Sequence, residues 1–170
     1  MTEFAGGNGI VVGVDGSEAS MAALRWATEQ AHALGTDVVA VHAWEPVRPK
    51  IASCALVSAR PTVAEQRIQA AGLLASTVRE VFGPRIDGAV HAVLVEGPPA
   101  RVLLRQARGA LLLALGRKAH GQYELPAIGS VGLECLRHAT IPVVAVPTTE
   151  QPAAPGGAVR MLSLARSSAA

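Results

Sequence analysis

The stretch LLLALGRKAHGQYELPAIGSV, Leu111 to Val131, decides how the chain is read. Five apolar residues, Leu111 to Leu115, stop at Gly116, as a buried strand would. Basic, polar and small residues from Arg117 to Ile128 then read as a loop. Gly129-Ser130 opens a helix. The first turn of a helix carries backbone N–H groups without intrahelical partners, and the helix dipole favours negative charge there. A strand, a loop and a helix start in succession therefore suit a phosphate. Arg117 and Lys118 add positive charge beside it, and Gly116 and Gly129 would let the backbone come close to a ligand. A purely structural reading also stands at this point: Gly116 ends a strand, and Ser130 is an ordinary N-cap.

The rest of the chain supplies context. Ile10 to Val14, IVVGV, is β-branched without alternation, which fits a strand buried on both faces. Asp15-Gly16-Ser17 breaks it, with Ser17 as N-cap and Glu18 in the first turn of a helix reaching Leu34. Ala19, Ala22, Ala23, Trp26, Ala27 and Ala33 sketch its apolar face, and Gly35 ends it. Val38 to Ala43 is a second strand, followed by a proline-containing loop from Trp44 to Pro61. The TVAE run, Thr62 to Glu65, is a capping box for a helix that ends near Phe82. Ala89 to Val95 is a third strand. Gly97-Pro98-Pro99 places prolines where a missing N–H costs nothing, at the start of a short helix over Ala100 to Arg108. A helix from Ser130 to His138 and a fifth strand from Val143 to Val146, introduced by Pro142, complete the pattern.

Strands and helices thus alternate, which implies an α/β fold: a parallel sheet with right-handed crossovers and helices on both faces. Such sheets bind ligands beyond the C-terminal strand ends, where the strand order reverses. If the first and fourth strands are neighbours, the turns at Asp15 and Gly116 share one crevice. From Thr148 to Ala170 the composition turns to Ala, Pro, Gly and Ser, and a disordered tail is expected.

Composition narrows the function classes. Half of the 170 residues are apolar and 16% are charged, so the chain can build a core. Five aromatic residues do not make a base-stacking platform, and a net charge of +2 without a polybasic patch points to neither nucleic acid nor a membrane surface. Cys54 and Cys135 form no CxxC and read as free thiols of a reducing cytoplasm. No apolar run approaches the length of a membrane span, and MTEFAGGNG has no secretory-leader pattern.

Two stretches resemble one family. Ile10 to Ser20, IVVGVDGSEAS, is similar to the opening of universal stress protein domains. Gly129-Ser130-Val131 followed by Leu136 to Pro147, LRHATIPVVAVP, is similar to their ending. The likeness spans about residues 8 to 147. It implies a Rossmann-like sheet of five strands in order 3-2-1-4-5 and a homodimer through the last strand, 143–146. It also implies binding of an adenine nucleotide, ATP with Mg²⁺ carried on it. In the family's glycine pattern, G-x2-G-x9-G-S/T, Gly116 takes the first place and Gly129-Ser130 the last two, while Ala119 replaces the middle glycine. The resemblance places Asp15 near the base and ribose, Val41 on the strand lining the adenine, and Gly116, Gly129 and Ser130 at the phosphates; Val14, Arg117 and Val131, their neighbours in sequence, complete the expected nucleotide-binding set. If the backbone at Ala119 requires φ > 0, the alanine costs about 1 kcal/mol.

Three functions stay open on these residues. One is a nucleotide-binding regulator in stress response. Another is a dimeric interaction protein whose site has drifted, to which Ala119 and Glu124 point. The last is a slow ATPase, for which Asp15 and Glu124 are candidate groups by proximity alone. Asp15 also has a plain role as the cap of its own Asp-Gly-Ser turn. His42 and His91 read as packed strand residues rather than ligands.

Overall fold

A computed structural model describes residues 8–47, 61–83, 89–120 and 125–148. Along them run β1 (Ile10–Gly13), α1 (Glu18–Leu34), β2 (Val38–Trp44), α2 (Val63–Phe82) and β3 (Val90–Glu96). Then come α3 (Pro99–Gln106), β4 (Leu112–His120), β5 (Leu125–Ala127), α4 (Ser130–His138) and β6 (Val143–Pro147). Five strands pair in parallel in the spatial order β3-β2-β1-β4-β6. This is the expected 3-2-1-4-5 sheet. The order reverses between β1 and β4, which pair Ile10 with Leu112 and Val12 with Ala114.

The uninterrupted apolar runs have a simple cause. Alternate strand residues face opposite sides of the sheet, and both sides are covered. Ile10, Val12, Val38, Ala40 and Ala114 pack with Ala23, Leu24 and Ala27 of α1 and Leu74 and Val78 of α2. Val11, Val39, Val41, Leu113 and Leu115 pack with Val102 and Leu103 of α3 and Cys135 of α4. The buried face of α1 runs through Ser20, Ala23, Leu24, Ala27 and Ala31, a 3-4 spacing. Ala33, expected on that face, falls off this spacing and is exposed. The Thr62–Glu65 capping box is present at the start of α2.

The largest departure from expectation lies at residues 117–127. The expected open loop from Arg117 to Ile128 is in part a hairpin: β4 runs on to His120, and β5 pairs antiparallel to it, Lys118 with Ala127, Ala119 with Pro126 and His120 with Leu125. Hydrophobic pattern misses such an extension because it lies past the core and is held by backbone pairing. Ala119, the residue in place of a glycine, is an ordinary strand residue there, so no penalty for φ > 0 arises. The loop expected from Trp44 loses Trp44 itself to β2, and residues 48–60 lie outside the described residues, as does the tail beyond Thr148.

Gly116 does not end a strand; it sits inside β4. A Cβ on it would lie 2.3 Å from the backbone C and O of Ala19 and 2.6 Å from the backbone N of Ser20. The first turn of α1 therefore rests directly on β4. Gly116→Ala is expected to destabilise the protein by about 2 kcal/mol, since neither backbone can yield cheaply. A lowered urea midpoint at unchanged slope would show this. An unchanged midpoint would mean that α1 can lift off without cost.

Candidate functional site

Three helix starts and three strand ends meet at the point of order reversal. Past β1 the chain stays extended through Val14, whose N–H donates to the Val41 carbonyl at 2.9 Å. The Val14 carbonyl accepts from His42 Nδ1 at 2.7 Å, and because a carbonyl only accepts, that nitrogen carries the proton. Gly16, at φ 80°, turns the chain into α1. Asp15 Oδ1 accepts from the Ser17 N–H at 3.0 Å and from the Ser17 hydroxyl at 2.5 Å. Ser17 Oγ accepts from the Ser20 N–H at 3.2 Å, and the Ser20 hydroxyl donates to the Ser17 carbonyl at 2.8 Å. The start of α1 is thus closed on itself, and the turn role of Asp15 is realised.

The other two helix starts differ from it. α3 begins at Pro98-Pro99, two residues with no N–H to offer. α4 begins at Gly129, with φ −63° and ψ 168°, and no side chain caps it. Ser130, expected as the N-cap, is instead the first helical residue, because the glycine before it already holds the extended cap conformation. The first-turn N–H groups of Ser130, Val131 and Gly132 therefore have no capping side chain, and they sit on the wall of a cavity.

That cavity has a volume of about 540 Å³. Such a size is common for small-molecule pockets. Of the residues that the sequence assigned to a ligand, Val14, Asp15, Val41, Gly116, Gly129, Ser130 and Val131 line it. Arg117 is not among the lining residues; it follows Gly116 on β4, half-buried in register with Pro147 of the neighbouring strand. Gly116 reaches the cavity, but its missing side chain makes room for α1 rather than for a ligand. Sequence reading missed Ser17, Ser20, Ala43, Pro99, Leu103 and Ile128 on the wall. The Gly97-Pro98-Pro99 turn was legible as a helix start, but nothing in it shows that Pro99 faces a pocket.

Asp15 is the only charged side chain among the described lining residues. Among the described residues no three His, Cys, Asp or Glu side chains cluster as a protein-held metal would require. His91 and His138 lie elsewhere: His91 Nε2 is 3.5 Å from Asp37, and His138 Nε2 is 3.3 Å from Glu134. No helix among the described residues is long and apolar enough to cross a membrane. Cys135, fully buried, ties α4 to the core, and burial pushes its thiol above the ordinary value, with Glu134 adding to the effect. In a Cys54→Ser background, alkylation of Cys135 is therefore expected only as fast as the protein unfolds. Rapid labelling in native buffer would contradict a tightly seated α4.

A doubly covered parallel sheet with its cavity at the reversal point defines a Rossmann-like α/β protein with an open crevice at the switch of strand order. The universal stress protein family model matches residues 8–147, and the chain belongs to this family. Universal stress protein Rv2623 of Mycobacterium tuberculosis is 32% identical over 143 residues, covering 79% of this chain and 43% of that protein. The chain thus spans less than half the length of this curated relative. A solved universal stress protein in complex with cAMP matches with a TM-score of 0.59 at 21% identity, over 84% of this chain and 98% of that one. A universal stress protein from Archaeoglobus fulgidus in complex with dAMP matches with a TM-score of 0.54 at 22% identity, over 81% of this chain and 96% of that one. At these identities the two structures bear on the fold.

Proposed function

We propose that this chain is an adenine-nucleotide-binding module of the stress response, acting as a nucleotide-dependent dimeric regulator in the cytoplasm. The observation that carries the reading is the uncapped start of α4 facing the same cavity as Asp15 and Val41. The base and ribose would lie against Val41 and Asp15, and phosphate would rest on the N–H groups of residues 130–132. Two solved relatives are complexes with adenine nucleotides, which supports the ligand class. ATP with Mg²⁺ is the finer form of this reading that the glycine pattern suggests; with no metal cluster among the described residues, the ion would be carried by the nucleotide.

The dimer is part of the same proposal. β6 pairs with β4 and with no other described strand, so one edge of it is open to a second copy. Leu133 and Leu136, on the helix that packs against β6, are 43% and 44% exposed. An open strand edge beside apolar side chains suits pairing with another chain. Hydrolysis is left out of the proposal, because Asp15, the one carboxylate on the described wall, is engaged by Ser17.

The rival reading is the drifted site, favoured by Ala119 and by the hairpin in which it is paired. Thermal unfolding with millimolar AMP or ATP separates the two. At a hundredfold excess over Kd, a ligand of the native state adds about 2.7 kcal/mol, which raises Tm by about 5 °C or more at this chain length. A shift in the unmodified protein is the expected result. A shift only in Ala119→Gly would establish the drifted site, and no shift in either would remove the nucleotide reading.

A further inference from the structure

We propose that the cavity selects a nucleoside monophosphate over a triphosphate. This rests on the adenine-nucleotide reading and narrows it. Three independent observations point the same way. The first is the supply of donors. Of the three helix starts around the cavity, α1 is closed by Ser17, Ser20 and Asp15, and α3, also without a side-chain cap, brings only Pro99 of its first turn to the wall; α4 alone brings uncapped first-turn residues that carry N–H groups. One helix start holds one phosphate group well, because its N–H groups converge on a single point.

The second is the hairpin. A chain of phosphates needs a run of unpaired backbone donors beyond the first, as a flexible glycine loop provides. Here the stretch after Gly116 is strand, laddered to β5 through Lys118–Ala127 and His120–Leu125. Those pairings take up backbone groups of β4, and the strand opposite Ala119 is occupied by Pro126, which has no N–H. Opening the ladder to seat a longer phosphate chain would break the pairing at a cost that a monophosphate avoids.

The third is charge. The described wall carries a single charged side chain, the carboxylate of Asp15, and Arg117 lies off it. Each further phosphate brings negative charge that no described lining residue meets with a cation. Magnesium on the nucleotide offsets part of this charge but supplies none of the missing backbone donors.

Calorimetric titration of the full chain with adenosine, AMP, and ATP with and without Mg²⁺ tests the proposal. AMP is expected to bind at least tenfold more tightly than ATP, with or without Mg²⁺, and at least tenfold more tightly than adenosine. ATP binding as tightly as AMP, or more tightly, would overturn the selection while leaving the adenine-nucleotide reading in place. Adenosine equal to AMP would overturn the phosphate seat. Failure of all three ligands to bind would remove the underlying reading and this proposal with it. Ser130→Pro gives a second check. Proline is tolerated at the first helical position, and Gly129 already holds the extended conformation that a following proline demands, so the variant deletes one N–H with little harm to the helix. Its AMP affinity should fall at least tenfold towards that of adenosine; AMP affinity equal to that of the unmodified protein would contradict the role of α4.

Discussion

The contact at Gly116 is the constraint on which the site depends. There β4 passes so close to the backbone of Ala19 and Ser20 that no side chain fits between them. The contact fixes the first turn of α1 over the middle of β4. The ladder between β1 and β4 fixes the Asp15 turn beside it. The β1–β4 step is also where the strand order reverses, so α3 and α4 must cover the opposite face of the sheet from α1 and α2. A hollow between the two sets of helix starts follows from that topology. Core packing holds it open from below, through Val14, Val41 and Leu115, all at most 8% exposed.

Around this hollow the chain spends its polar groups unequally. Ser17 and Ser20 satisfy each other, and Asp15 serves the same turn, so the start of α1 is a structural joint. The start of α3 has nothing to donate at its two prolines and presents an apolar wall with Leu103. The start of α4 has a glycine at its cap position, no proline in its first turn and no capping side chain, and it is anchored from beneath by Cys135. A glycine cap gives up about a few tenths of a kcal/mol that a Ser, Asn or Asp there would contribute. Its dipole and first-turn amides thereby have no capping side chain. A binding site is where such a local sacrifice is expected.

Much of this was legible beforehand, for identifiable reasons. IVVGV and VVAVHA are buried on both faces, and a strand without alternation advertises that. Ser17, Gly35 and the Thr62–Glu65 box mark helix ends by local chemistry, which tertiary contacts did not override. The crevice followed from strand order alone. What failed to show was whatever depended on backbone geometry without an apolar signal. The β4–β5 hairpin shows no alternating strand pattern in sequence, carries Pro126, and is held by its ladder. Gly129 and Ser130 both look like caps, and only the dihedral angles assign the role to the glycine. Gly116 lines the cavity as expected, but the close approach that requires a glycine there is to a helix 97 residues earlier in the chain. Arg117 read as a phosphate partner, yet one step along a strand carries it away from the cavity wall.

The central claim is that the uncapped start of α4, across the hollow from Val41, receives the charged end of a nucleotide. Amide-resolved NMR during an AMP titration measures this most directly. The account predicts the largest shifts at the amides of Ser130, Val131 and Gly132, with a second group at Val41 and around Asp15. Saturable shifts that leave residues 130–132 unmoved and gather at the opposite end of the sheet, near Asp37 and Val90, would contradict it.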